Sequence, residues 1–335
     1  MKKHLKQQKK RQNNDENPLG DGWVLLVEGC KMTNTENVFT FIDTYAESNE
    51  SLYLESMIEA CNKWLTGEEG PKLSETVTKE ELRRGIQLAV LKGMKQNAQP
   101  HHQMTPDAIG MLIGHIASKL MDGKGESTLL DPTVGTGNLL YTVMNTIGED
   151  IAAHAVEIDE LLVRLSAVTA EILEHPVTFL VQDALRPLLI DPVDMVVSDL
   201  PVGFYPDDDN AADYELMPVE GHAYAHHLFI EQSLKHTKPG GYAIFIVPAN
   251  LFESGQAAQL HPFLKKKSII RAVIQLPSGL FQSKIHEKSI LILQKPYPEM
   301  KSTPDVLLAQ VPEMTDKTAM AYFLQEIDEW SKEKQ

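Results

Sequence analysis

The stretch Leu130-Asp131-Pro132-Thr133-Val134-Gly135-Thr136-Gly137-Asn138-Leu139-Leu140 decides the fold. A short apolar run, Ser127–Leu130, meets an acid, then a Gly-x-Gly turn, then residues at helical spacing. Glycines on a strand-to-helix turn let the backbone take unusual φ values and approach a ligand closely. A dinucleotide fingerprint needs a third glycine at position 140, where this chain has Leu140. The Asp131 carboxylate also repels a pyrophosphate and suits a cationic ligand. The turn therefore reads as the ligand cradle of a doubly wound sheet, built for a cation.

On both sides of this turn, short apolar runs alternate with helical segments. Strands are expected at Ser127–Leu130, Ala152–Ile158, Val177–Val181, Met195–Asp199, Tyr242–Val247, Ile269–Leu276 and Ser289–Leu293. Helices are expected at Pro106–Met121, Gly137–Thr146, Glu160–Leu173, His222–Lys235 and Gln256–Lys265. Such alternation implies βαβ units and a mostly parallel sheet, whose ligands sit at the carboxyl ends of the strands. Acids stand at several of those ends. Glu157 lies twenty residues after Gly137, where a carboxylate grips ribose hydroxyls in doubly wound folds. Asp183 follows the third strand and suits an adenine amino group. The fourth ends in Ser198-Asp199-Leu200-Pro201-Val202-Gly203-Phe204-Tyr205.

This ordered set resembles the class I S-adenosylmethionine-dependent methyltransferases. It is similar in particular to the DNA adenine-N6 methyltransferase family and to the modification subunits of type I restriction systems. The resemblance covers about residues 101–295, including Met104-Thr105-Pro106-Asp107 and the closing Gln275-Leu276-Pro277-Ser278-Gly279-Leu280-Phe281 and Lys288-Ser289-Ile290-Leu291 segments. It implies an α/β, Rossmann-like methyltransferase fold with a mostly parallel seven-stranded sheet and helices on both faces. By the same resemblance Thr105, Asp131, Gly135, Gly137, Glu157 and Asp183 line a site for S-adenosylmethionine. Asp199, Leu200 and Pro201 stand at the chemical centre. The family's pattern there is Asn or Asp, Pro, Pro, then an aromatic, so Leu200 and Val202 depart from it. Phe204 and Tyr205 become the substrate-stacking candidates. Three readings stay open: methylation of adenine in DNA, cofactor binding without DNA methylation, and methylation of protein, RNA or a small molecule.

Upstream of the methyltransferase segment, Phe39, Ile42, Tyr45 and Ala46, then Leu54, Met57, Ile58 and Cys61, recur at helical spacing. Thr66–Ser74 breaks that pattern, and Thr78-Lys79-Glu80-Glu81 looks like a capping box opening a third helix. The expected organisation is a disordered basic tail over 1–31, a helical domain over 32–100 and the methyltransferase domain over 101–298. A C-terminal extension over 299–335 carries an amphipathic helix, Met314–Trp330, packed on the same chain.

Charge constrains the partners. The 335 residues carry a formal net charge of −16. Residues 1–31 hold seven basic and four acidic residues, a net of +3, which leaves −19 for the remainder. Phosphate neutralisation needs clustered Lys and Arg, so unaided high-affinity DNA binding is disfavoured. DNA is expected to be met through a separate specificity subunit, because no stretch is left over for a target-recognition domain. Two cysteines exclude a disulfide framework, no apolar run is long enough for a membrane span, and a reducing cytoplasm is the natural compartment. His222, His226 and His227 at a helix start, and Asp207-Asp208-Asp209, lack a full metal-ligand pattern, so no metal is expected. Lys265–Lys267 read as cations at a helix end and Cys61 as core.

Overall fold

The computed structural model describes residues 32–96, 104–148, 150–281, 283–298 and 305–332. The basic tail, the 100/101 boundary and the first part of the C-terminal extension lie outside the described residues.

Among the described residues three helices come first: α1 (Met32–Ser48), α2 (Tyr53–Thr66) and α3 (Lys79–Gln96). The capping box is present. The Glu81 amide donates to Thr78 Oγ1 at 3.2 Å, and the Thr78 amide donates to Glu81 Oε2 at 2.9 Å. Gly67 ends α2 in the left-handed conformation, as the Gly/Glu/Pro-rich break requires. The apolar faces of these helices bury Val38, Ile42, Met57, Ile58, Ile86 and Val90 together.

The remaining elements follow in order as α4 (Asp107–Met121), β1 (Ser127–Asp131), α5 (Asn138–Ile147), β2 (Ile151–Glu157), α6 (Glu160–Ile172), β3 (Val177–Val181) and β4 (Val193–Asp199). After these come the single turn α7 (Asp208–Ala211), α8 (Ala225–Lys235), β5 (Thr237–Pro248), α9 (Ala257–Lys267), β6 (Ile269–Gln275) and β7 (Lys288–Gln294). The last two elements are β8 (Leu307–Gln310) and α10 (Lys317–Lys332). The sheet order is β3-β2-β1-β4-β5-β7-β6-β8, with β7 antiparallel to both neighbours and every other pair parallel. The sheet thus has eight strands rather than the seven read from the sequence. Residues 307–310 pair with Ala272–Gln275 at the outer edge, and a four-residue edge strand is too short to carry its own apolar signature.

Chain order reverses at β1, which has β2 on one side and β4 on the other. A crevice opens at such a reversal, at the carboxyl ends of the strands. The helical domain is joined to this layer through α6: Leu165, Val168 and Ile172 belong to the same buried cluster as α1, α2 and α3. On another side α10 buries Met320, Phe323, Leu324, Ile327 and Trp330, while its Asp328 bonds His115 on α4 at 2.8 Å.

Close approach within the helical domain depends on glycine. A Cβ at Gly85 would lie 2.5 Å from Val38 Cβ and 2.8 Å from the Thr35 carbonyl oxygen. Alanine is intrinsically the better helix former by about 1 kcal/mol. Overpacking against α1 outweighs that gain. Gly85→Ala is expected to lower stability by about 1–3 kcal/mol, read as a lower urea midpoint with unchanged slope.

Candidate active site

The loop after β1 is held from below. Asp131 is only 2 % exposed, and its Oδ1 accepts from the Thr133 amide at 3.1 Å and from Ser198 Oγ at 2.7 Å. Burial pushes its carboxyl up to about 7, against those two hydrogen bonds and with the help of nearby Glu157 and Asp199. Asp131 therefore shapes the loop from beneath it and does not line its surface. Gly135 and Gly137 take φ of +54° and +79°, in the left-handed region that favours glycine. A Cβ on Gly137 would meet the Tyr141 ring at 2.2 Å, whereas one on Gly135 meets nothing within 4 Å. The two glycines thus differ: Gly137 makes room for the protein, and Gly135 faces open space.

Glu157 ties the first two strand ends together. Its Oε2 accepts from the Gly135 amide at 3.0 Å, and its Oε1 from the amides of Ile158 at 2.8 Å and Asp159 at 3.0 Å. Beside it, Ile158 and Val181 expose apolar side chains at the ends of β2 and β3. Asp183 accepts from the Leu185 amide at 2.9 Å and from the Tyr205 hydroxyl at 2.6 Å. Tyr205 is 7 % exposed, and burial with Asp183 beside it pushes its phenol up to about 12. Its ring is packed away and positions Asp183, so it offers no face for stacking.

Asp199 ends β4 and is held from two sides. Lys288 Nζ, from the first residue of β7, donates to Oδ1 at 2.7 Å. Thr105 Oγ1, just ahead of α4, donates to Oδ2 at 2.9 Å. Leu200 is buried, with its amide on the Ile246 carbonyl at 3.1 Å. Pro201 is exposed, and Val202 is 61 % exposed. Phe204 is 60 % exposed and lies on the Tyr224 ring at 4.9 Å, 10° from parallel. Gly203 turns the chain with φ of +136°, and its carbonyl accepts from the Ala225 amide at 2.9 Å. Phe204 is thus presented at the rim with one face backed by Tyr224.

The sequence reading missed three groups. Lys288 opens an apolar strand and betrays nothing locally, because its partner lies 89 residues away. Arg83 and Asn138 likewise meet only through the fold. The other candidates have plain structural roles. His226 and His227 are buried, and burial drives them down to about 3 and about 4. His222 pairs with Asp208 at 2.8 Å, and Asp207 caps α7 and pairs with Arg186. Lys266 and Lys267 bridge to Glu215, and the Cys61 thiol is buried and pushed up to about 12. Among the described residues no group of three or more His, Cys, Asp or Glu could hold a metal ion, and no helix is long and apolar enough to cross a membrane.

Residues 93–328 match the N-6 DNA methylase family model, and residues 23–94 match the YtxK N-terminal helical domain. The second match begins inside the stretch read as a tail. The chain is 42 % identical over 323 residues to YtxK of Bacillus subtilis, a protein described as uncharacterized, covering 94 % of this chain and 98 % of that one. A structure from Listeria monocytogenes, provisionally described as a class I S-adenosylmethionine-dependent methyltransferase, superposes with a TM-score of 0.81. It is 41 % identical and covers 89 % of this chain and 99 % of its own. The methyltransferase subunit of a type I restriction-modification system from Streptococcus thermophilus shares the fold. Its TM-score is 0.62 at 14 % identity, over 86 % of this chain and 69 % of that one.

Asp131 makes a testable difference to stability. Its folded carboxyl keeps a proton up to about pH 7, whereas an unfolded aspartate loses it near 4. The folded state therefore binds the extra proton in that window, and the associated stability is full below about pH 4 and lost as pH rises to about 7. Relative to Asp131→Asn, which has no proton to lose, the wild type is expected to lose up to about 1.4 kcal/mol per pH unit across the window. Paired urea titrations between about pH 4.5 and 7.5 measure this difference, and parallel curves would rule out the shift.

Proposed function

We propose that this chain, which belongs to the N-6 DNA methylase family, is an S-adenosylmethionine-dependent methyltransferase acting on an exocyclic amine, the N6 of adenine in DNA. The observation that carries the reading is the meeting of Glu157 and the open Gly135 turn with Asp199 across the reversal at β1. The residues present fit the donor. Gly135 faces open space, Ile158 and Val181 offer exposed apolar contact, and the surrounding carboxylates favour a cation. Glu157 and Asp183 would hold the nucleoside portion, with Gly135 admitting the chain close to it and Gly137 letting the turn pack on Tyr141 beneath.

When bound, S-adenosylmethionine supplies an activated methyl group on a positively charged sulfur. The protein's task is to orient and polarise the amine, whose lone pair is delocalised into the ring. Asp199 accepts one N–H and the backbone carbonyl of Leu200 the other, which draws the nitrogen toward tetrahedral geometry. The freed lone pair would then be available for transfer of the donor's methyl group, with Asp199 and the Leu200 carbonyl holding the amine in place. Orientation of this kind supplies roughly 7–11 kcal/mol. The Lys288 ammonium offsets the Asp199 charge, so this aspartate acts at the centre much as the family's asparagine does. Phe204, backed by Tyr224, provides the stacking face in place of the aromatic that Val202 replaces.

The net charge of −16 supports delivery of DNA by a separate, basic specificity subunit, and the cytoplasm is the proposed compartment. Val202 favours one second reading: a protein that binds the donor but methylates something other than a DNA base.

Calorimetry with S-adenosylmethionine and labelled methyl transfer to unmethylated genomic DNA test both. Label is expected in N6-methyladenine, reduced at least about a hundredfold in Asp199→Ala with donor affinity retained. Phe204→Ala is expected to weaken base binding roughly ten- to a hundredfold, the value of one stacked base. Donor binding without any label, either in genomic DNA or in a concentrated single-stranded adenine-containing oligonucleotide that needs no specificity subunit to present its base, would discard the adenine reading in favour of the second, and no donor binding would discard both.

A further inference from the structure

We infer that the N-terminal helices are part of the methyl-transfer machinery, coupled to it by Arg83 on α3 as a positioning residue for the glycine loop and Asp199. The inference rests on the proposed function for its meaning but on geometry for its content.

The Arg83 side chain is 1 % exposed, and its guanidinium reaches both layers. Nε and Nη2 donate to the two oxygens of Glu80 on its own helix, at 2.8 and 2.6 Å. Nη1 points the other way, to Asp107 Oδ1 at 3.1 Å and to the side-chain oxygen of Asn138. Asn138 directly follows Gly137 and opens α5. Its amide nitrogen donates to the Thr105 carbonyl at 2.9 Å. The Thr105 hydroxyl in turn donates to Asp199. A chain of bonded groups therefore runs from α3 through Asn138 and Thr105 to the carboxylate at the chemical centre.

A helix that merely docks has no need of this arrangement. α3 already meets α1 and α2 through Ile86, Ala89 and Val90. Burying a guanidinium is costly unless its donors are matched by acceptors, and here its matched acceptors lie on three helices, α3, α4 and α5. The planar fork fixes direction as well as charge, which an ammonium cannot do. Asn138 has its side-chain oxygen filled by Arg83, so its NH2 is left to hold Thr105. Without Arg83, the Asn138 oxygen loses its donor and only the Nδ2 bonds remain, to the Thr105 carbonyl at 2.9 Å and a long one to Asp107 Oδ1 at 3.4 Å, so the hold on the loop and on Thr105 is loosened.

The test uses the full chain with Arg83→Lys, Asn138→Ala and, as a stability control, Gly241→Ala. A Cβ at Gly241 would crowd the Asp194 carbonyl oxygen at 2.8 Å and the Lys238 carbonyl oxygen at 2.9 Å, weakening the sheet at the end of β4 and β5 opposite the site and outside the helical layer. Two readouts are taken: S-adenosylmethionine affinity by calorimetry, and amide hydrogen exchange of Thr105 and the 133–138 loop without donor. Arg83→Lys and Asn138→Ala are expected to weaken binding at least about tenfold and to speed exchange in the loop, while Gly241→Ala does neither at matched loss of Tm. Wild-type affinity and wild-type loop exchange in both site variants would overturn the inference. A wild type that binds no donor overturns the functional reading instead, and the exchange measurement then still decides the coupling.

Discussion

Four carboxylates crowded at the ends of four parallel strands set the terms for everything around them. Like charges at this spacing destabilise one another unless each is compensated. The protein uses a different device for each. Asp131 is buried and retains its proton to about pH 7. Glu157 accepts three backbone N–H bonds, Asp183 a tyrosine hydroxyl and an amide, and Asp199 an ammonium and a threonine hydroxyl. These compensations are also what fix the loops. The amides that satisfy Glu157 belong to the first and second strand ends, so satisfying the carboxylate closes the crevice wall.

Stability and site geometry are consequently hard to separate in this fold. The N-terminal helices share a core with α6, the helix that follows Glu157. Asp159 caps that helix by accepting from the amides of Leu161 and Leu162. Packing against α6 therefore steadies the strand end that carries Glu157, while Arg83 steadies the one that carries Asp199. Two independent routes lead from one helical layer to opposite walls of the crevice. The helical domain acts as a brace, whatever else it contacts.

The sequence revealed what depends on local pattern. Seven strands, the glycine turn, the acids at strand ends and the capping box at Thr78 all follow from spacing over a few residues. What it hid depends on partners distant in the chain. Tyr205 and Phe204 are adjacent aromatics, yet one is buried on Asp183 and the other is exposed on Tyr224. Nothing in the dipeptide tells them apart. Only the Gly203 turn and its pairing with 223–225 do so. Lys288 reads as the polar start of a strand because an antiparallel β7 is needed to bring its first residue beside the end of β5 and so next to Asp199. Asp131 reads as a ligand contact because the motif gives its position but not its depth.

The charge balance also divides the labour of the site. Under the proposed function, a neutral amine attacking a cationic donor would gain positive charge, so a bare carboxylate beside it would help but would also bind the donor's own cation in the wrong place. Pairing Asp199 with Lys288 removes that competition: the centre is left nearly neutral, and the carboxylate retains lone pairs to accept an N–H bond. The net negative field then belongs to the strand ends farther along the sheet, where Glu157 is held by backbone amides rather than by a cation. On this reading the acidic body recruits the cation, and the paired aspartate orients the amine. The rate then depends on how rigidly the two are held with respect to each other, because misplacement of about 1 Å alone can cost roughly a hundredfold.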